Sequence, residues 1–214
     1  MPDALEPALS ARLRDGTRDA HRDAERGPFV RAFLRGRLSR ATYRAYLGAL
    51  WPVYAALEAG LERRREHPVA GPLALPTLYR APALAADLRA LFTATPADAP
   101  PVPAAVAYAA HLNALTDTDP ARLVAHAYTR YLGDLSGGQI LRGAAARLLG
   151  VADDGPGLAF YDFPAVPDLN ACKADLRARL DALPLAPAGA AALVAEARGA
   201  FARSAAIFAE LLPA

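Results

Sequence analysis

Apolar residues recur at the three- to four-residue spacing of an α-helix along almost the whole chain. Residues 5–25 carry one narrow apolar stripe, which predicts an amphipathic helix with Arg and Asp on its other faces. Ser39 is placed to cap a long helix over residues 40–67. Pro52 lies inside that helix and predicts a kink or one missing hydrogen bond.

The second half of the chain continues the helical spacing. Asp119 and Pro120 are placed to start one long helix that ends before Gly150, and residues 151–166 are irregular. Proline-rich stretches at 68–82 and 95–103 predict loops. Further helices are predicted over 83–92, 104–115, 168–183 and 187–212. The pattern therefore predicts an all-α fold with seven to nine helices in a single domain over residues 1–214.

Composition excludes several classes of protein. Hydrophobic residues make up 54% of the 214-residue chain and charged residues 21%, which is not the composition of a disordered protein. The formal net charge of +2 is too small to indicate nucleic-acid binding. Cys172 is the single cysteine, so an internal disulfide framework is excluded. The sequence shows neither a signal core nor an apolar run of membrane-spanning length, and we expect a cytoplasmic protein without a membrane anchor.

Three glycines interrupt the helical pattern at Gly133, Gly137 and Gly138. Each glycine inside a helix costs about 0.5–1 kcal/mol relative to alanine, so the three together cost roughly 2–3 kcal/mol. One explanation is the close approach of another helix, and the other is a flat ligand lying against bare backbone. Asp134 and Ser136 stand among these glycines, and a carboxylate there is costly to bury unless water or a ligand satisfies it.

A second group of polar residues lies near the N-terminus. Thr17, His21 and Glu25 follow each other at four-residue spacing, which places them on one face of a helix. A carboxylate four residues after a histidine can accept the Nδ1–H and leave Nε2 free as a metal ligand. Arg14 and Arg18 precede the histidine and could clamp carboxylates. The alternative is an ordinary surface helix on which Glu25 pairs with a neighbouring cation.

Taken together, the two windows resemble the heme oxygenase family. The resemblance rests on the His21 helix, on YTRYLGDLSGGQ about a hundred residues later, and on LAFYDFP at residues 158–164. It extends over nearly the whole chain. It implies an all-α fold that holds heme between a proximal and a distal helix.

The resemblance also implies roles for individual residues. His21 matches the ligand of the heme iron, and Glu25 matches the carboxylate that holds its other nitrogen. Asp134, Arg130 and Tyr54 match the distal polar network and are the predicted catalytic residues. The predicted heme-binding set comprises Arg14, Thr17, Arg18, His21, Glu25, Tyr128, Gly133, Ser136, Gly137, Gly138, Lys173, Arg177, Phe201 and Phe208.

The implied reaction is the oxygen- and electron-dependent cleavage of heme to biliverdin, carbon monoxide and ferrous iron. Heme b is both cofactor and substrate, molecular oxygen is the co-substrate, and cleavage is expected at the α edge. The implied electron donor is a ferredoxin, a flavodoxin or a reductase. A non-catalytic heme carrier or sensor is the alternative.

The other histidines carry less weight. A di-iron helix bundle needs two Glu-x-x-His pairs, and none of the four histidines has Glu three residues before it. His111 and His126 are expected to be surface or packed residues rather than ligands.

Overall fold

The computed structural model describes residues 7–93, 95, 98, 100 and 102–212. Every regular element in this part of the chain is helical, so the predicted all-α class is confirmed. The predicted first stripe, from Leu5, and the loop at 95–103 lie partly outside the described residues. The ten α-helices found there are α1 (Leu9–Gly16), α2 (Arg18–Glu25), α3 (Pro28–Leu34), α4 (Arg40–Arg63), α5 (Ala81–Phe92), α6 (Pro103–Thr118), α7 (Leu123–Asp134), α8 (Gly137–Leu149), α9 (Leu169–Asp181) and α10 (Pro187–Glu210).

Local sequence signals fix several helix ends as predicted. The Ser39 hydroxyl accepts from the backbone N–H of Thr42 at 3.0 Å and caps α4. The Asp168 carboxylate accepts from the N–H groups of Asn170 and Ala171 at 2.7 and 3.0 Å and caps α9. Gly150 ends α8 with φ +70°, a left-handed conformation that glycine adopts without steric cost.

Helix α4 is the central element of the fold. It runs from Arg40 to Arg63 without interruption at Pro52, although proline has no N–H to donate to the preceding turn. It packs against α5, α6 and α7. Tyr54 follows two residues after the proline and is fully buried within the apolar core. Pro52 therefore does not displace Tyr54 from the interior.

Two predicted helices are each divided, and the predicted total of seven to nine is wrong. The first stripe breaks at Thr17 (φ −109°, ψ 4°), which separates α1 from α2. The helix predicted over 119–149 becomes a short 3-10 turn, α7 and α8, with the break at Ser136 (φ −118°, ψ −84°). Low helix propensity at Gly133, Gly137 and Gly138 places that break. Helix α3 was not predicted.

Helix α10 contacts helices from both the N-terminal part and the middle of the chain. It packs against α1, α2, α6 and α7, and Leu193, Ala197, Ala200 and Ile207 are buried along it. Its opening proline, Pro187, occupies the first turn, where a missing N–H costs nothing. None of the described helices is long and apolar enough to cross a membrane.

Candidate active site

His21 and Glu25 lie one turn apart on α2 and are both exposed. His21 Nδ1 is 3.7 Å from Glu25 Oε2, which is close for an ion pair but too long for a hydrogen bond. The predicted hydrogen bond from Nδ1 to Glu25 is therefore not formed in this structure. The imidazole makes an edge contact with the Phe201 ring on α10, with centroids 5.8 Å apart. The imidazole is 56% exposed, and this exposure leaves it accessible to a ligand.

Thr17 does not share the exposed face of His21. It is buried at the junction of α1 and α2, and its hydroxyl donates to the carbonyl of Leu13 at 2.7 Å. Its own carbonyl accepts from the N–H of His21 at 2.9 Å. The two short helices are joined through this residue, so Thr17 supports the position of His21 from inside.

Several of the predicted basic residues gather around Tyr128. Burial raises the pKa of the Tyr128 phenol, whereas a hydrogen bond with Thr17 and the positive charges of Arg177 and Arg14 limit that rise. Lys173 lies one turn before Arg177 on α9, and its carbonyl accepts from the Arg177 guanidinium at 3.4 Å. Arg14 and Arg177 thus both act electrostatically on Tyr128, and we call the four basic residues Arg14, Arg18, Lys173 and Arg177 the cationic rim.

The two arginines near His21 share one carboxylate. Asp15 Oδ1 accepts from Arg14 Nε at 3.1 Å and from Arg18 Nη2 at 2.6 Å. All three side chains are exposed, and the attraction of Arg14 and Arg18 keeps the pKa of Asp15 below its usual value. The predicted carboxylate clamp thus already holds a carboxylate of the chain itself.

The break between α7 and α8 exposes bare backbone. Gly133 is the second-last residue of α7 and Gly137 begins α8, and a Cβ added to either residue would meet no described atom beyond its own local helix within 4 Å. Close approach of another helix is therefore not the reason for these two glycines. Gly138 is buried instead, and a Cβ there would lie 3.9 Å from the Tyr161 ring. Ser136 is exposed between them.

A polar group stands at the end of α7 next to these glycines. The Tyr54 hydroxyl donates to Asp134 Oδ2 at 2.6 Å. Arg130 Nη2 donates to the Ser204 hydroxyl on α10 at 2.8 Å, and its guanidinium carbon lies 5.9 Å from the Tyr54 ring centroid. The structure thus brings together the three predicted catalytic residues, Tyr54, Arg130 and Asp134.

The electrostatics of this group are set by burial. Burial raises the pKa of Asp134 to about 6, and Arg130, Tyr54 and Arg80 limit the rise. The Nε of Arg130 is buried and has no hydrogen-bond partner among the described residues. A buried polar atom of this kind indicates that water or a ligand completes the network.

Phe201 and Phe208 lie two turns apart on α10 but have different neighbours. Phe201 contacts His21, as noted above. Phe208 stacks on Phe29 with ring centroids 5.0 Å apart and lies within 6.2 Å of Tyr46. Phe201 therefore borders the histidine, whereas Phe208 belongs to an aromatic cluster of the core.

These residues fit a flat, dianionic, iron-containing ligand. The exposed imidazole of His21 offers a nitrogen ligand, and the open backbone at Gly133 and Gly137 leaves space that side chains would fill. The cationic rim offers partners for carboxylates. The buried Nε of Arg130, which has no partner among the described residues, can bind a water molecule.

Comparison with known proteins decides the family. A protein-family model described as heme oxygenase matches residues 7–210 of the chain. The chain belongs to the heme oxygenase family. The resemblance seen in the sequence is confirmed, as is the expectation of a heme oxygenase enzyme that handles heme.

Individual relatives agree with the family model. The chain is 38% identical to heme oxygenase 1 of Nostoc sp. over 204 residues, covering 95% of this chain and 85% of the relative. It is 37% identical to human heme oxygenase 1, covering 98% of this chain and 74% of the relative. The heme complex of heme oxygenase-1 from Synechocystis sp. superposes with a TM-score of 0.91 at 37% identity, covering 96% and 92% of the two chains. Heme oxygenase from Leptospira interrogans gives 0.90 at 38% identity, covering 95% and 100%.

Two charged residues that interact electrostatically with Asp134 were not predicted from the sequence. Glu58 lies one turn after Tyr54 on α4 and accepts from the N–H groups of Arg80 and Ala81 at 2.5 and 3.2 Å. The Arg80 guanidinium lies 4.1 Å from the Phe163 ring centroid, and its charge lowers the pKa of Asp134. A carboxylate on the buried face of α4 was the available signal for Glu58. Nothing local marked Arg80, which follows a proline-rich stretch.

Proposed function

We propose that this chain cleaves heme to biliverdin, carbon monoxide and ferrous iron, with molecular oxygen as co-substrate. The observation that carries the proposal is the hydrogen bond from Tyr54 to Asp134 beside the open backbone of Gly133 and Gly137. Bound heme supplies the iron at which oxygen is activated and the ring that is opened. The reducing electrons come from a separate donor, and the residues of the chain bind and orient the heme and deliver protons.

His21 has the role of iron ligand. Its Nε2 points away from the Glu25 side of the ring and is free to bind a metal, because Nδ1 is the nitrogen that lies 3.7 Å from Glu25. A small movement of the Glu25 side chain would bring the carboxylate within hydrogen-bond distance of Nδ1–H. That bond fixes the tautomer of the imidazole and makes it a stronger ligand.

The cationic rim orients the ligand. Arg14, Arg18, Lys173 and Arg177 offer charge-assisted hydrogen bonds to the two propionates, and the Tyr128 hydroxyl lies among them. The rotation of the macrocycle in its plane decides which meso edge faces the distal residues. We therefore assign the regiochemistry to these groups and expect cleavage at the α edge.

Asp134 organises proton delivery. With a pKa of about 6 the carboxyl is mostly ionised at neutral pH, yet it takes up a proton more readily than an ordinary aspartate. Tyr54 fixes one of its oxygens, and the other can hold water over the open glycine backbone. Arg130, held by Ser204, adds a fixed positive charge to the same group.

The electron donor that fits this surface is acidic. Arg14 and Arg18 are 72% and 68% exposed and carry two of the rim's four positive charges. A ferredoxin, a flavodoxin or a reductase with an acidic docking face would be attracted electrostatically.

The cytoplasmic location, and a single domain over residues 1–214, also stay predictions.

Turnover of hemin tests the proposal. Purified chain loaded with hemin, then given ascorbate and air, should lose its Soret band and form biliverdin. Asp134→Ala should bind hemin and form little biliverdin, whereas His21→Ala should lose the spectrum of imidazole ligation. Stable hemin binding without bile pigment would instead identify a heme carrier or sensor.

A further inference from the structure

A second cluster of metal-ligating side chains lies where α6, α7 and α10 meet. His111 comes from α6, His126 from α7 and Glu196 from α10. Glu196 Oε1 is 2.7 Å from His111 Nε2 and 3.1 Å from His126 Nε2. All three potential ligand atoms lie within 4.8 Å of one another. Residues distant in the sequence therefore bring one potential ligand atom each into a single cluster.

The donor set matches that of a metal site. Two imidazole nitrogens and one carboxylate oxygen form the protein ligand set of many zinc sites that keep a fourth position for water. With bonds of 2.0–2.2 Å, the ligands of a tetrahedral zinc ion lie about 3.3 Å apart. The His126–Glu196 separation is already near that value. The His111–Glu196 separation needs to open by about half an ångström to reach it.

The surroundings hold two of the ligands in place. His126 is fully buried, and its Nδ1 lies 2.8 Å from the Tyr108 hydroxyl. Arg122 Nη1 donates to Glu196 Oε2 at 3.3 Å and leaves Oε1 to the histidines. Outer partners on the second histidine nitrogen and on the carboxylate are typical of metal sites, because they fix the orientation of the ligands.

One side of the cluster is accessible. Glu196 is 8% exposed, whereas the His111 side chain is 24% exposed. An ion can therefore approach the cluster from the side of His111. His126 and Glu196 form the buried part of the site, and His111 forms the accessible part.

We propose that His111, His126 and Glu196 bind a divalent transition-metal ion, with Zn²⁺ as the ion of best fit. A carboxylate oxygen only accepts hydrogen bonds, so without a metal each Nε2 carries the hydrogen that faces Glu196. On binding, that hydrogen moves to Nδ1 of the same ring and Nε2 takes the metal. At His126, the Tyr108 hydroxyl donates to Nδ1 while no metal is bound. A hydroxyl can also accept a hydrogen bond, so on metal binding it rotates and accepts from the new Nδ1–H. The site is separate from His21 and does not depend on heme.

Calorimetric titration of the heme-free chain with ZnCl₂ in a non-chelating buffer tests this site. We expect one saturable equivalent in the wild type. His111→Asn and Glu196→Gln each remove one ligand with little change of shape, and each should weaken binding more than a hundredfold. Tyr108→Phe leaves all three ligands and should weaken binding about 10–100-fold, as expected for an outer partner. Circular dichroism confirms that each variant is folded.

Two controls separate this site from other histidines. His21→Ala removes the exposed His21–Glu25 pair, and His67→Ala removes a histidine outside both sites. Both should retain the wild-type Zn²⁺ affinity. Co²⁺ should give visible absorption bands of a four-coordinate ion in these controls and not in His111→Asn. Loss of Zn²⁺ binding in His21→Ala, or unchanged binding in His111→Asn and Glu196→Gln, would overturn the assignment, as would a wild type that does not saturate.

Discussion

The Tyr54 hydroxyl donates to Asp134 Oδ2 across a distance of 2.6 Å and thereby ties the central helix α4 to the end of α7. The two residues are 80 positions apart in the chain. Tyr54 is almost completely buried, whereas Asp134 lies at the edge of the open glycine backbone. The tyrosine therefore orients the carboxylate from the core through Oδ2 and leaves Oδ1 for other partners.

Tyr54→Phe should raise the pKa of Asp134 above its value of about 6. Burial raises this pKa, and the hydrogen bond from Tyr54 is one of the groups that limit the rise. If the ionised carboxylate organises the distal water, the acid limb of biliverdin formation should move to higher pH. The pH profile of single-turnover biliverdin formation measures this shift.

Tyr43→Phe is the matched control for that experiment. Tyr43 is also a buried tyrosine of α4, but its hydroxyl donates to the carbonyl of Gly157 at 3.1 Å. The pH profile should stay where it is in this variant. An acid limb that moves equally in both variants would mean that a general change of the core, and not the Asp134 bond, is responsible.

Gly133→Ala should stabilise the heme-free protein and weaken hemin binding. An added Cβ meets no described atom, and alanine inside a helix is favoured over glycine by about 0.5–1 kcal/mol. The same Cβ would occupy the space assigned to the ligand. Chemical denaturation of the heme-free chain and a hemin titration measure the two effects.

Gly143→Ala is the control for the glycine experiment. Gly143 lies in α8, and a Cβ there would meet only the flexible end of Arg147 at 3.6 Å. This variant should gain similar stability and keep its hemin affinity. Equal hemin affinity in Gly133→Ala would show that the ligand does not approach Gly133.

The sequence predicted the helical fold because its apolar periodicity and caps are local signals. Ser39, Asp168 and Gly150 could be recognised without knowing what they pack against. The division of the first stripe at Thr17 could not, because a buried threonine that bonds to Leu13 looks like any helical threonine in the sequence. Tertiary packing decides this break.

The site was predictable where residues belong to one helix or one motif. His21 with Glu25, and Asp134 with its glycines, are such cases. The pairing of Arg130 with Ser204 depends on how α7 meets α10, which no spacing reveals. The cluster of His111, His126 and Glu196 depends on three helices, and this is why the two histidines were expected to be surface or packed residues.

Asp15→Asn should strengthen hemin binding. The Asp15 carboxylate occupies the guanidinium groups of Arg14 and Arg18 that the proposed function assigns to propionates. Removing the charge of Asp15 frees both arginines to bind hemin. The resulting gain in hemin affinity should be smaller at high salt, because salt screens these exposed groups. Hemin titrations at low and high ionic strength measure this gain in affinity. Asp19→Asn, which releases only Arg22, should leave the affinity unchanged, and a gain there would point to net charge alone.

Asp134→Asn should change how stability depends on pH. The pKa of Asp134 is about 6 in the folded chain and near 3.8 when unfolded, so between these values the folded state holds the additional proton. The wild type therefore loses stability through Asp134 as pH rises from about 4 to 6. The asparagine variant lacks this loss. The difference in unfolding free energy between variant and wild type should grow in favour of the variant across that range.

Asp168→Asn provides the opposite sign in the same measurement. The N–H groups of Ala171 and Asn170 lower the pKa of Asp168, so its contribution is present above the unfolded pKa and is lost as pH falls. This variant should lose most relative to wild type at neutral pH, and the difference should shrink in acid. Parallel curves for the two variants would contradict the raised pKa of Asp134. They would also remove the reason to regard this carboxyl as one that exchanges protons near neutral pH.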